Sequence, residues 1–400
     1  MSLLLDLSHT SHYPGHSGIQ RVCRAAYPEF KKLSPVTPLC YDHHVRVWRH
    51  LQPAEQALVE WSDPKAQAPA KRSTLQVKTA RILNQLGLPC GYETVNAHDR
   101  QSATGFFAPE WFGPDQYSGY QKLFPQIKAP KMALIHDLIA IHLPQFLPKV
   151  TVERYPAYLD HLRLFDGIVA NSYATKTDLE GYWHEHGVKN HPPIFAAPLG
   201  VDFDLPPPLS ATEPTPQSPP PSLLCVGTFE GRKNQIALLE AAEKLWADGQ
   251  QFKLQFIGNL NAETGQHAAD KLATLLQAGR PVSWEKGASD EALIEAYRNC
   301  DFTIYPSLME GFGLPVLESI AFGKPCVVAA SGALGEVAAE GGCATVSEPS
   351  AEQLATVIAR LLNNPAEREA LTAQARARTF RTWEDFARDT MTAFDELRRA

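Results

Sequence analysis

The sequence predicts an α/β protein built from two doubly wound domains. Two observations carry that expectation. Short apolar runs alternate with amphipathic helical stretches in both halves of the 400-residue chain, the pattern of a parallel sheet covered by helices. Between the halves, residues 204–221 are dense in Pro, Ser and Thr, a composition that gives a stiff, extended linker rather than a core. The expected organisation is therefore a first domain over 1–203, a linker over 204–221, a second domain over 222–380 and a final helix over 381–400.

In the first half, Leu3 to Leu7 reads as the opening strand. A loop from Ser8 to Gly18 follows, with His9, His12 and His16, then a helix from Ile19 to Leu33. Met132 to Ile135 reads as a buried strand ending at His136-Asp137, and Gly167 to Ala170 as another, ending at Asn171-Ser172. A helix is expected from Thr175. The second half restarts the grammar. Ser222 to Val226 is a strand, Gly227 to Gly231 a turn, and Asn234 to Ala247 a helix. Further strands are expected at Phe252 to Ile257, Phe302 to Tyr305 and Pro325 to Ala329. The amphipathic stretch Trp383 to Leu397 completes the pattern. In doubly wound folds ligands collect at the carboxyl ends of the strands, so the residues after each strand are the candidates for function.

Composition excludes several classes. With 44% hydrophobic and 20% charged residues the chain can bury a sizeable core. A net charge of −7 argues against general nucleic-acid binding. The seven cysteines are scattered and form no C-x2-C pair, so neither a disulfide framework nor a zinc site is expected, and a reducing cytoplasm fits. No apolar run reaches the length of about 18 residues that a membrane span needs. The stretch Val45 to Leu88 holds Trp48, Trp61, Lys65, Lys71, Arg72, Lys78 and Arg81. That composition suits a peripheral contact at the inner membrane face as well as a solvated insertion.

The most informative segment is Ser307 to Val328. Glu310 and Glu318 bracket Gly311, Phe312, Gly313 and Leu314, followed by Pro315, which suits the first position of a helix. Gly311 and Gly313 allow close backbone approach, and the helix N-terminus favours an anion such as a phosphate. Carboxylates accept paired hydrogen bonds from vicinal hydroxyls. One segment thus offers a phosphate cradle and two hydroxyl clamps, the needs of a sugar nucleotide. A second segment, Cys225 to Asn234, runs from a strand through a turn to Arg232 and Lys233 at a helix start. Cations at a helix N-terminus oppose its dipole unless an anion is present. A departing nucleoside diphosphate is such an anion, and fixed cations stabilise its developing charge.

Glu310 to Glu318 resembles the E-x7-E signature of retaining GT-B glycosyltransferases, most closely glycosyltransferase family 4, the glycosyl transferases group 1. The resemblance covers roughly residues 1–35 and 130–395 and is strongest over 220–345. It implies two Rossmann-like domains facing across a cleft. It also implies roles: Glu310 on the donor sugar, Glu318 on the nucleotide ribose, Lys233 and Arg232 on the pyrophosphate. Gly18, in Gly15-His16-Ser17-Gly18, resembles the family's N-terminal glycine loop, and His136 a strand-end histidine beside the donor sugar, able to donate a hydrogen bond. Asn259 lies where the family contacts the base. Thr228 marks a departure, since the common form has Arg immediately after the glycine. Arg232 is expected to take over part of that charge. With Lys233 and Arg232 in place no metal ion is expected.

The Arg232-Lys233-Asn234 form is similar to mannosyl and related transferases of surface-polysaccharide assembly. It implies a GDP-mannose donor, with dTDP-rhamnose and UDP-sugars as rivals, and a glycan or lipid-linked glycan acceptor. Two other classes fit the same fold: a nucleotide-sugar epimerase, distinguished by releasing a free epimer, and a non-catalytic sugar- or nucleotide-binding subunit, distinguished by tolerance of Glu310→Ala. A dinucleotide-dependent dehydrogenase does not fit, because no G-x-G-x-x-G follows the first strand.

Overall fold

The computed structural model describes residues 1–15, 18–60, 78–80, 82–83, 93–201 and 220–399. Residues 204–219 of the expected linker fall outside them, as do His16, Ser17 and most of the basic, Trp-bearing stretch with Trp61, Lys65, Lys71, Arg72 and Arg81. The chain divides into two compact units. Unit 1 comprises Met1–His136, Arg154–Gly200 and Arg381–Ala400, and unit 2 comprises Asp137–Glu153 and Val201–Phe380. The units are interleaved in sequence: residues 381–400, which the sequence reading sets apart as a final helix, join unit 1, and Asp137–Glu153, which it leaves inside the first domain, joins unit 2.

Unit 1 is built on a seven-stranded sheet in the order β3-β2-β1-β4-β5-β6-β7. Its strands are β1 (Ser2–Asp6), β2 (Val36–Asp42), β3 (Val47–His50), β4 (Ala103–Ala108), β5 (Lys131–Ile135), β6 (Gly167–Ala170) and β7 (Ile194–Ala196). All pair in parallel except β3, which is antiparallel to β2. Parallel strands lie between helical layers and must be apolar on both faces. β5 and β6 fit this with Met132 to Ile135 and Gly167 to Ala170, all buried.

The helix Trp383–Arg399 packs on this unit. Phe386 meets Phe30 of the helix Gly18–Leu33 edge-on at 6.2 Å, and Phe394 meets Phe107 of β4 at 6.3 Å. Two strand glycines make room for it. A Cβ at Gly105 would lie 2.7 Å from Phe394, and one at Gly167 would lie 2.8 Å from Leu397. Glycine in a strand interior weakens it unless another element needs the space.

Unit 2 carries a six-stranded, wholly parallel sheet in the order β10-β9-β8-β11-β12-β13. The strands are β8 (Ser222–Val226), β9 (Lys253–Ile257), β10 (Val282–Glu285), β11 (Phe302–Tyr305), β12 (Cys326–Ala329) and β13 (Cys343–Val346). Its main core joins Leu223, Phe256, Phe302 and Val327 from the sheet to Leu238, Leu245 and Ile358 from the helices Gln235–Ala247 and Ala351–Asn363. The strand order reverses between β8 and β11. That reversal opens a crevice at their carboxyl ends, the switch point where doubly wound sheets take their ligands.

Candidate active site

Both motif segments of unit 2 emerge at this switch point. After β8 the chain turns through Gly227 and Thr228, buries Phe229, and forms a short 3-10 turn at Gly231–Lys233. Asn234 then adopts a left-handed conformation, φ 58° and ψ 31°, which asparagine tolerates better than most residues. Its Nδ2 donates to the carbonyls of Pro306 (3.2 Å) and Pro349 (2.7 Å). The Leu308 N–H donates to the Arg232 carbonyl at 2.9 Å. These bonds tie the β8 turn to the loop after β11 and fix where Glu310 falls.

Glu310 is the hub. Its Oε1 lies 2.5 Å from Lys233 Nζ and accepts from the Tyr305 hydroxyl at 3.0 Å. Its Oε2 accepts from Arg232 Nη1 at 2.9 Å. Tyr305 also bonds Lys233 Nζ, which sits 4.8 Å from the centre of its ring. Arg232 Nη2 reaches Glu230 Oε1 at 2.7 Å. Burial alone would raise the Glu310 carboxyl, but Lys233 and Arg232 outweigh it and bring it down to about 2. Burial also works against the Arg232 charge, yet Glu310 and Glu230 carry its pKa above the ordinary value. The Lys233 ammonium is pushed below its ordinary value by burial, against the pull of Glu310. The arrangement sets a carboxylate against two cations that an incoming anion can reach by displacing it.

Beyond Glu310, Gly311 is buried and Phe312 half-buried. Gly313 caps the helix Leu314–Ala321 with φ 112°, and a Cβ there would lie 2.9 Å from Leu334. Leu314 is thus the first helical residue and Pro315 the second, not the first as the sequence suggested. Glu318 sits one turn further in. It is buried and accepts from the Tyr297 hydroxyl at 3.0 Å, so it is anchored to the helix Asp290–Asn299. The other predicted residues of this unit line the β8 and β9 ends. The Thr228 carbonyl accepts from Gln235 Nε2 at 2.8 Å, and the Asn259 carbonyl from the Phe229 N–H at 2.7 Å. Asn259 is exposed.

Unit 1 places Gly18 and His136 at the carboxyl end of its own sheet. Gly18 opens the helix Gly18–Leu33, and among the described residues nothing lies within 4 Å of a Cβ there. The loop before it is held by Arg24, which donates to the carbonyls of Tyr13 and Gly15 at 3.0 and 2.5 Å. His136 follows β5, and its Nε2 lies 2.7 Å from the Pro109 carbonyl. A carbonyl only accepts, so Nε2 carries the proton and Nδ1 of the neutral ring is an acceptor. The structure therefore revises the donor role expected of this histidine: a substrate hydroxyl would donate to it. Burial pushes its pKa down to about 4.

A sign follows for stability. A histidine kept neutral in the fold stabilises above its ordinary value of 6.5 and loses that contribution as pH falls towards about 4. The melting-temperature advantage of the parent over His136→Asn should therefore shrink between those limits. A constant difference would show that the ring is not held neutral.

Sequence reasoning missed three residues. Tyr305 looked like a strand residue, and Glu230 like a turn acid. Glu110, after β4, is buried and accepts from the backbone N–H groups of His9 (2.6 Å) and Thr10 (2.7 Å). It spans the switch point of unit 1, where the order reverses between β1 and β4. Burial, with Asp6 adding, pushes it up to about 7. A spacing of chemistry-bearing residues after strands is the only sequence signal for it. Among the described residues, His12, Cys40 and Glu55 form the grouping with metal-ligand spacing. Both Glu55 oxygens accept from Arg49 at 2.6 Å, so a guanidinium already neutralises that carboxylate.

Two doubly wound units, with a carboxylate and two cations at the switch point of the second, define the GT-B class of fold. Residues 211–378 match the family model of glycosyl transferases group 1. The chain is 26% identical over 347 residues to the serotype-specific mannosyltransferase WbdA of Escherichia coli, covering 82% of this chain and 38% of that protein. It is 31% identical over 180 residues to the O-antigen chain mannosyltransferase B of Escherichia coli, covering 44% of this chain and 45% of that protein. The chain spans between 25% and 38% of the length of the WbdA relatives it matches. Among solved structures it resembles sucrose-phosphate synthase from Thermosynechococcus elongatus, with a TM-score of 0.65, 18% identity and coverage of 100% and 99% of the two chains. It also resembles Anabaena Alr3699/HepE in complex with UDP and glucose, with a TM-score of 0.63, 15% identity and coverage of 99% of each chain.

Proposed function

We propose that the chain is a retaining glycosyltransferase that moves a hexose, mannose in first place, from a nucleotide sugar to a glycan or lipid-linked glycan in surface-polysaccharide assembly. The observation that supports it best is the contact of Glu310 with both Lys233 and Arg232 at the switch point of unit 2. In this reading the donor diphosphate takes the two cations and releases Glu310 to the sugar hydroxyls. Lys233 and Arg232 then stabilise the charge that develops on the leaving phosphate. Glu318 holds the ribose, with the turn at Gly311, Phe312, Gly313 and Leu314 under the phosphates. Thr228 and Asn259 are assigned to the nucleotide, Gly18 to the donor phosphate and His136 to the donor sugar. No metal ion is required when two cations supply the charge.

GDP-mannose is the favoured donor because the named relatives are mannosyltransferases; dTDP-rhamnose and UDP-sugars are its rivals. No helix among the described residues is long and apolar enough to cross a membrane, and a cytoplasmic place at the inner membrane face suits a lipid-linked acceptor.

The test is a thermal-shift panel with GDP, UDP, dTDP and ADP and then their sugar conjugates. A nucleotide at about one hundred times its Kd should add roughly 2.7 kcal/mol of stability. One selective response, lost in Glu318→Ala, names the donor base. Absence of response to every nucleotide and conjugate overturns the reading.

A further inference from the structure

Glu230 is an acid where the proposed chemistry asks for none. It lies in the turn after β8, only 16% exposed at its side chain, with Oε1 2.7 Å from Arg232 Nη2. Glu310 holds the other terminal nitrogen, Nη1, at 2.9 Å. Arg232 is thus gripped by two carboxylates, while the salt bridge of Lys233 among the described residues is to Glu310. Two cations and two carboxylates leave this cluster with no net formal charge. Asp137 lies within electrostatic reach of Arg232 and adds further negative potential. Thr228 brings no charge at the position where the group 1 pattern has an arginine. A nucleoside diphosphate carries at least two negative charges, and a site shaped only for tight holding of it would carry a positive surplus.

The two acids differ in what they can do next. Glu310 stands immediately before the turn at Gly311 and Gly313 and has sugar hydroxyls to go to in the proposed reaction. Glu230 belongs to the same short turn as Arg232: the Lys233 N–H donates to the Glu230 carbonyl at 3.0 Å, and the neighbouring Gly231 is packed so that a Cβ there would lie 2.1 Å from the Phe146 ring. Its carboxylate therefore stays beside Arg232 when a ligand arrives. A fixed negative charge next to an anion site weakens the anion by Coulomb repulsion, and more so at low salt.

We propose that Glu230 is a positioning residue that fixes the Arg232 guanidinium and at the same time limits the affinity of the site for the nucleoside diphosphate product, so that the product leaves. This rests on the reading of the site as the donor diphosphate site. It makes Glu230 a determinant of turnover through product release, a step that limits many enzymes.

Calorimetric titration of the full chain and of Glu230→Gln with GDP, UDP, dTDP, ADP and inorganic pyrophosphate tests it, together with kcat and KM for the donor. Glutamine keeps a carbonyl acceptor for Arg232 and removes the charge. The variant is expected to bind the same nucleoside diphosphate about three- to tenfold tighter at low salt, with the gain shrinking at about 0.5 M salt. KM and kcat should fall together. A purely structural role would weaken binding instead. Equal or weaker binding by Glu230→Gln, with the parent still binding and Lys233→Ala losing it, overturns this inference alone. No binding of any of these anions by the parent overturns the site reading and the inference with it.

Discussion

Glu310→Gln is expected to lower turnover by about 10²–10³-fold, the scale of losing one preorganised electrostatic contact in a transition state. It should also make the protein more responsive to anions. In the parent, Glu310 is the partner shared by Lys233 at 2.5 Å and Arg232 at 2.9 Å. Removing one member of a buried ion pair leaves the other uncompensated, at a cost of about 3–5 kcal/mol in a closed site. Here the side chains keep 10–19% exposure, and Glu230 still neutralises part of the charge, so a loss of about 2 kcal/mol is expected. A nucleoside diphosphate, or inorganic pyrophosphate, returns the missing negative charge. Its stabilising shift should therefore be larger in Glu310→Gln than in the parent, although the variant turns over more slowly. A smaller shift would mean that the carboxylate is not competing with the diphosphate for Lys233 and Arg232.

Gly258→Ala should be among the most destabilising single-methyl changes in unit 2. Gly258 follows β9 with φ 149°, a conformation that L residues rarely adopt, and a Cβ there would lie 2.1 Å from the Gly227 carbonyl oxygen. The obstruction is backbone, so no side-chain rotation relieves it. Strain and displacement together should cost about 3 kcal/mol or more in urea unfolding. The same methyl would lie 3.0 Å from the Thr228 nitrogen. The turn that delivers Arg232 and Lys233 would have to move, so nucleotide binding should be lost even where the variant folds. Gly187→Ala is the control. Its φ is 68°, but nothing lies within 4 Å of the added Cβ, so only the backbone cost of about 1–2 kcal/mol applies. Equal losses in the two variants would show that the approach of the β8 and β9 ends carries no weight.

The parts of the site that were legible in the sequence are those whose chemistry is written in neighbouring residues. Arg232 and Lys233 stand together after a strand, and Glu310 and Glu318 bracket a glycine-rich turn, so spacing alone suggested an anion and hydroxyl site. Strands such as β8 and β11 were legible because burial on both faces leaves unbroken apolar runs. The partnership that unites the two motifs was not legible. Tyr305 reaches Lys233 across 72 positions and Glu310 reaches it across 77, and no local pattern encodes contacts that only the sheet order creates. The same holds for Glu110, which bonds the Thr10 backbone 100 positions away. Gly105 and Gly167 read as soft points in strands, and only the packed helix with Phe394 and Leu397 shows why they lack side chains. For Asp137–Glu153, which clusters with unit 2, composition shows no shift that would separate it from its neighbours.

The helix Trp383–Arg399 has a consequence for the order in which the protein matures. It fills glycine-lined space on β4 and β6 of unit 1, yet it is translated after all of unit 2. During synthesis, the β4 surface around Gly105 and Phe107 must wait for Phe394 while unit 2 is made. Unit 2 has no such debt to later sequence and can close its own sheet as soon as β13 and the helices after it emerge. The half of the molecule made first is thus the half completed last. A chain truncated after Phe380 should hold a finished second unit and a first unit whose apolar surface is still a target for chaperones.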